Sequence, residues 1–178
     1  MLFLSFMRHA DSECINHNGI DFKRPISKRG QKKTIVVSEF VKKNKIKYDL
    51  IFFSPTERTK QTLNCFLKYT GYENLNTIED KILYDGNANN FLLKISQVKK
   101  FKRILLITHE PLISYFIDFF LGKTEYSKKT KSIKIITSSI TTIKFDVKNW
   151  NQITDRNAEF HQFLDPDLLP LEKNNKVN

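Results

Sequence analysis

At 178 residues the chain has room for one domain with a proper core, and its 40% hydrophobic content fits a globular protein. No apolar run approaches the length of a membrane span, and Leu2 to Met7 is too short and wrongly flanked for a signal-peptide core, so a cytoplasmic protein is expected. The net charge of +11 favours anionic partners. Lysines at Lys42-Lys43, Lys99-Lys100 and Lys128-Lys129 nevertheless read as solvated faces, and no aromatic-basic motif points to nucleic acid.

In chain order, Leu2 to Met7 is a short buried strand ending at Arg8-His9-Ala10. Asp11 to Pro25 is a polar loop. Ser27 caps a helix whose spacing presents Ile35, Val36, Phe40 and Val41. Asp49 to Phe53 is a second strand. Pro55 suits the first turn of the next helix, which buries Leu63, Phe66 and Leu67. Tyr84 to Asn90 is turn-rich around Asp85-Gly86, and a helix is expected over Phe91 to Phe101. Arg103 to Thr108 is a buried strand. Pro111 opens a helix with Leu112, Ile113, Phe116, Ile117 and Phe120, ending near Gly122. Lys123 to Lys134 is a basic connection. Ser139 to Val147 is a strand, paired across Lys148-Asn149 with Trp150 to Thr154. The alternation predicts an α/β three-layer sandwich with a mostly parallel central sheet. The domain is expected over residues 1–154. Residues 155–178 are expected to form a C-terminal strap or tail, disordered from Glu172 to Asn178.

Four segments fall where strands end or helices begin: Arg8-His9, Asp21 to Gly30, Ser54 to Thr62, and Thr108-His109-Glu110-Pro111. Parallel strands would deliver them to one crevice, with helix N-termini aimed at it. Histidine can be a nucleophile, and guanidinium forks grip phosphate. In-line displacement at phosphorus needs a positioned nucleophile and stabilisation of the charge on the equatorial oxygens, which guanidiniums and imidazoles can supply without a metal. Cys14 and Cys65 read as free thiols, and no Cys/His spacing suggests a structural metal. His17 and His161 read as ordinary exposed residues. Ser12 and Asn16 lie in the loop after His9, as turn residues or near the substrate.

The four segments, in this order, resemble the histidine phosphatase superfamily, in its phosphoglycerate mutase-like first branch, and within that the small SixA-type phosphohistidine phosphatases. The family's R-H-G stands as Arg8-His9-Ala10, with alanine for the usual glycine. Its R-P-L-(S/T)-x-x-G stands as Arg24-Pro25-Ile26-Ser27-Lys28-Arg29-Gly30, its S-P-x-x-R-(A/T)-x-Q-T as Ser54 to Thr62, and its H-x-P as His109-Glu110-Pro111. The resemblance implies that His9 is the nucleophile that becomes phosphorylated. It implies that Arg8 and Arg58 bind the phosphoryl oxygens, that Arg24 completes the clamp, and that His109 donates to the phosphoryl group. It implies neither metal nor cofactor.

Tyr84 stands near the position where larger members carry a glutamate proton donor, which leaves Asp85 and Glu110 as the local candidates. Glu110 also suits a helix N-terminus through the dipole. Without a strong acid the chemistry favours an imidazole leaving group over an alkoxide. With the resemblance, the expected function is therefore dephosphorylation of a protein phosphohistidine in signal transduction, and the resemblance implies a histidine phosphotransfer domain as the partner. A small-molecule phosphomonoesterase or mutase-like enzyme on the same site is the alternative. A basic module that binds a phosphorylated or nucleic-acid partner without turnover is a third.

Overall fold

Alternation within the strands decides the layers. The computed structural model describes residues 1–14, 21–85, 88–122 and 135–170. In β1 (Leu2–Arg8), Leu2, Leu4 and Phe6 point to one face of the sheet and Met7 to the other. In β2 (Leu50–Phe53) and in the strand Arg103–Thr108, Leu50, Phe52, Ile104 and Leu106 share the first face, and Ile51, Leu105 and Ile107 the second. Both sets are almost fully buried, as strands covered by helices on both sides must be.

Helices α1 (Lys28–Lys43) and α2 (Glu57–Thr70) cover the second face through Val37, Val41, Leu63 and Phe66. A short strand, β3 (Asn76–Glu79), and a single turn, α3 (Ile82–Asp85), follow. Helix α4 (Ala88–Ser96), β4 (Arg103–Thr108) and α5 (Leu112–Leu121) come next, and α4 and α5 cover the first face through Phe91, Ile95, Ile113, Phe116 and Phe120. The last strands are β5 (Ile140–Phe145) and β6 (Ala158–Leu164). The sheet order is β3-β2-β4-β1-β5-β6. Pairings β3-β2, β2-β4 and β4-β1 are parallel, and β5 runs antiparallel to both neighbours. This is the three-layer, mostly parallel α/β sandwich that the element order predicts.

Several details differ from the sequence expectation. The partner of β5 is β6, with Ile140 opposite Leu164, and not Trp150 to Thr154. Trp150–Gln152 is instead a 3-10 turn that buries the indole and donates its Nε1–H to the Phe101 carbonyl at 2.7 Å. The sheet therefore extends past residue 154, because the apolar positions of Ala158 to Leu164 pair along β5 rather than lying over it as a strap. Helix α2 begins at Glu57, with Thr56 in extended conformation as its cap, so Pro55 precedes the first turn. The expected Phe91–Phe101 helix runs instead from Ala88 to Ser96.

The buried face of α1 is Gly30, Thr34, Val37, Ser38 and Val41, while Ile35, Val36 and Phe40 are half-buried. Small polar residues can face inward because Thr34 donates to the Gly30 carbonyl and Ser38 to that of Thr34, satisfying each hydroxyl within the helix. Asn16, His17, Gly86, the Lys123–Lys134 connection and the segment from Glu172 lie outside the described residues.

Candidate active site

Parallel pairing sets three strand ends at one level. Arg8 lies opposite Thr108, and Phe53 opposite Ile107. The next residues continue the ladder, with His9 N–H donating to the Thr108 carbonyl at 2.9 Å and Ser54 N–H to that of Ile107 at 3.1 Å. His9, Ser54 and His109 thus emerge side by side at the carboxyl edge, where ligands of open α/β sheets collect. The His9 and His109 ring centroids are 5.0 Å apart and tilted by 55°.

The backbone fixes the tautomer of His9. Its Nδ1 is 2.7 Å from the Ala10 carbonyl, which only accepts, so Nδ1 carries the proton and Nε2 keeps a lone pair. Burial, reinforced by the positive charges of Arg58, Arg8 and Arg24, lowers its pKa from 6.5 to about 4. A neutral imidazole with Nε2 unprotonated is a nucleophile at physiological pH.

His109 is equally neutral. Burial first, then His9 and the three arginines, lower its pKa to about 3. Its Nε2 is 2.7 Å from Ser54 Oγ, with Thr56 Oγ1 at 3.5 Å, while its buried Nδ1 has no partner among the described residues. When the Ser54 hydroxyl donates to Nε2, the ring proton sits on Nδ1, a buried donor with no partner among the described residues.

Three guanidiniums act on both rings. Arg58, 5% exposed on the first turn of α2, gives Nη1–H to the Asp21 carbonyl at 2.8 Å and places Nη2 3.1 Å from Asp21 Oδ2. Arg24 Nε is 3.1 Å from Asp21 Oδ1. Arg8 donates Nη1–H to the Ile135 carbonyl at 2.8 Å. The Nε atoms of Arg8 and Arg58 are buried without hydrogen-bond partners among the described residues. Buried donors of this kind are costly unless an acceptor reaches them, and a phosphoryl oxygen is such an acceptor.

The remaining motif positions hold this edge in place. Ala10 N–H donates to Thr62 Oγ1 at 2.9 Å, and Thr62 donates on to the Arg58 carbonyl, which ties the loop after His9 to α2. Ile26 N–H donates to Gln61 Oε1 at 2.9 Å. Ser27 caps α1 by accepting from Gly30 N–H, and its hydroxyl donates to Asp11 Oδ2 at 2.7 Å. Gly30 lies directly against the Asp11 backbone, where a Cβ would come 2.2 Å from the Asp11 carbonyl oxygen. Thr34 and Ser138 share a hydrogen bond at 3.0 Å, and Ser138 N–H donates to the Arg8 carbonyl.

His9, His109, Arg8, Arg24 and Arg58 are therefore brought together. Glu110 is turned onto its own helix, its Oε2 accepting from Ser114 Oγ at 2.6 Å while its buried Oε1 has no partner among the described residues. Asp85 ends α3, and its side chain lies outside the described residues. Tyr84, half-exposed, sets its ring edge-on to His109 at 5.8 Å and to Phe22 at 5.3 Å. Ser12 bridges to Ile26 at the rim, and Cys14 is an exposed thiol. Among the described residues no group of three or more His, Cys, Asp or Glu is placed to hold a metal ion, and no helix is long and apolar enough to cross a membrane.

Sequence reasoning assigned no role to Asp21, Ser54 or Ser138. Ser54 stood in a motif and was open to notice. Asp21 heads the second segment and pairs with Arg24 three residues on, but its tie to Arg58, like the contacts of Ser138 with Arg8 and Thr34, lies far along the chain, where no local pattern reports it.

No protein-family model matches the chain, and no curated protein does. Solved structures do. A SixA protein of Agrobacterium tumefaciens superposes with a TM-score of 0.78 at 16% identity, over 93% of this chain and 98% of that one. The protein histidine phosphatase SixA in complex with tungstate gives 0.75 at 19%, over 95% and 100%. The α-ribazole phosphatase of Shigella flexneri gives 0.68 at 14%, over 96% and 100%. A phosphoserine phosphatase mutant of Entamoeba histolytica in complex with phosphoserine gives 0.60 at 18%, over 93% and 98%. Across nearly their whole length, this chain has the fold of the SixA and related histidine phosphatase structures.

Proposed function

We propose that the chain is a cytoplasmic phosphatase that passes a phosphoryl group to His9 and then to water, with a protein phosphohistidine as its substrate. The observation that carries this reading is the Nδ1–H bond from His9 to Ala10, which leaves Nε2 unprotonated beside three guanidiniums. The Nε2 lone pair attacks phosphorus, and the bond from phosphorus to the substrate nitrogen breaks. The leaving imidazole carries a proton on its other nitrogen. Phospho-His9 keeps Nδ1–H on the Ala10 carbonyl and so bears positive charge, which makes it a good leaving group in turn. Water then attacks phosphorus, the phosphorus–Nε2 bond breaks, and dihydrogen phosphate departs. Arg8, Arg24 and Arg58 offset charge on the equatorial oxygens, and His109 Nδ1–H adds a neutral donor. None of these steps needs a metal.

The acids near the site support an imidazole leaving group. Of the described acid side chains, Asp21 is held by guanidiniums and Glu110 by Ser114, while an alkoxide calls for a proton donor; the Asp85 side chain lies outside the described residues. A SixA structure of this fold is a complex with tungstate, an oxyanion, which supports a reading in which an oxyanion is bound. A phosphorylated phosphotransfer domain, in signal transduction, is the partner that fits this reading. Hydrolysis of a small phosphomonoester is the second reading. It is favoured by the unpartnered Glu110 Oε1 and by the α-ribazole and phosphoserine phosphatases that share the fold.

A substrate panel decides between them: phosphohistidine protein, phosphoarginine and ester phosphates, each with wild type, His9→Ala and Glu110→Gln. Fastest turnover on phosphohistidine, abolished by His9→Ala and indifferent to Glu110→Gln, is expected. Ester turnover that collapses in Glu110→Gln favours the second reading. Wild-type rates from His9→Ala overturn both, and phosphate-sensitive binding without turnover by wild type leaves a binding module.

A further inference from the structure

Among the described residues, Asp21 is the one acid ion-paired with the arginine cluster. Its two carboxylate oxygens go to different guanidiniums, Oδ1 to Arg24 Nε and Oδ2 to Arg58 Nη2, each at 3.1 Å. Its own carbonyl accepts from Arg58 Nη1 at 2.8 Å. Arg58 is therefore gripped along its outer edge by one residue, while its buried Nε–H stays without a partner among the described residues. The Asp21 side chain itself is 48% exposed, so it stands at the mouth and not beneath the rings.

The charges then balance in a specific way. Both histidines are neutral, and Arg8, Arg24 and Arg58 supply three positive charges. Asp21 cancels one and leaves two, matching a phosphoryl dianion. A further negative group on the substrate, close to its phosphorus, would meet the exposed carboxylate with no cation of the cluster left to pair it. Lys23 follows on the same turn but is solvent-exposed, where its charge is largely screened.

We propose that Asp21 is a positioning and selectivity residue, which fastens Arg58 and Arg24 and discriminates against substrates carrying a carboxylate beside the phosphoryl group. The proposal rests on the reading of this site as a phosphoryl pocket and narrows its substrate class to dianions lacking a nearby acid. A phosphorylated imidazole on a protein surface qualifies; phosphoserine-like and phosphoglycerate-like molecules do not.

O-phosphoethanolamine and O-phosphoserine differ by one carboxylate and make the test. kcat/KM for both is measured in wild type, Asp21→Asn and Asp21→Glu. Wild type is expected to prefer phosphoethanolamine. Asp21→Asn, close in shape and uncharged, should shrink that preference about tenfold at low salt, and by less at about 0.5 M salt. Asp21→Glu should restore it. A preference unchanged within twofold in folded Asp21→Asn, or an equal loss on both substrates, overturns the proposal. If wild type hydrolyses no phosphoryl substrate at all, phosphohistidine included, the phosphatase reading fails by itself; if it hydrolyses phosphohistidine but neither of these esters, that reading stands and Asp21 is judged by binding. Calorimetric binding of the same pair then judges Asp21 by the same ratio, and binding of neither overturns the proposal.

Discussion

The carboxyl edge of the sheet and the face covered by α4 and α5 are both buried, yet built on opposite terms. The face is apolar almost throughout, and its largest side chain, Trp150, has its single N–H satisfied by Phe101. The edge buries His9, His109 and Arg58 to 8% exposure or less and leaves Nε atoms of Arg8 and Arg58 without partners among the described residues. Such groups cost stability, so the edge persists because the face and its counterpart under α1 and α2 over-determine the strands that carry it. Changes at the edge should therefore move rates more than stability, and changes on the face the reverse.

The largest effect is expected from Arg58→Met. It removes a guanidinium from the reacting charge and should lower kcat/KM about 10³-fold in steady-state assays. It also removes a buried cation with an unpartnered Nε, so the melting temperature should stay within a few degrees of wild type or rise. A large loss of stability together with the rate would erase the proposed division.

Trp150→Ala is the converse. Removing an indole that is 1% exposed should cost about 3–5 kcal/mol in denaturant unfolding, with kcat and KM of the folded enzyme unchanged. Gly30→Ala tests the seam between the two regions. The new Cβ would meet the Asp11 backbone, and either α1 or the loop after His9 must shift. A cost of about 1–3 kcal/mol is expected. A several-fold loss of kcat should accompany it, because Asp11 follows His9, the proposed nucleophile, by two residues.

The two regions also differed in how far they could be read in advance. The edge is written in contiguous residues: Arg8-His9 ends a strand, Ser27 and Gly30 open a helix three residues apart, and Arg58, Gln61 and Thr62 share one helical stretch. Periodicity puts these segments at one end of the sheet if the strands run parallel, and the resemblance supplies the roles of the residues in them. The helix face of α1 was less legible, since Thr34 and Ser38 pack inward where hydropathy favours Ile35 and Val36. The β5–β6 pairing was missed because antiparallel register is set by side chains across the strands, here with an irregularity between Thr142 and Ile143, and not by the nearest turn signal at Lys148-Asn149. The tie from Asp21 to Arg58 was silent for a similar reason. It depends on Arg58, 37 residues later, returning to the same corner.

The smallest effect concerns pH, and it separates the two regions, because the clustered core residues described on the α4–α5 face are apolar while the edge buries two imidazoles. His9 and His109 have folded pKa values of about 4 and about 3, lowered chiefly by burial, whereas in an unfolded chain both titrate near 6.5. Between those limits the unfolded state binds protons that the folded state refuses. Stability must then rise with pH across that window, and fall as pH is lowered from about 6.5 towards 4. His161, also lowered by burial first, adds in the same direction. A phosphate dianion in the pocket would favour the charged imidazoles and flatten the slope. Melting temperatures from pH 7.5 to 4.5, with and without phosphate, check this. His9→Asn combined with His109→Gln should remove most of the slope between 6.5 and 4. If the slope survives in that double variant, the pH dependence belongs to the carboxylates and not to this edge. The same values place the base form of His9 in the majority throughout this range, so no acid limb in kcat/KM near pH 6 should arise from the nucleophile itself.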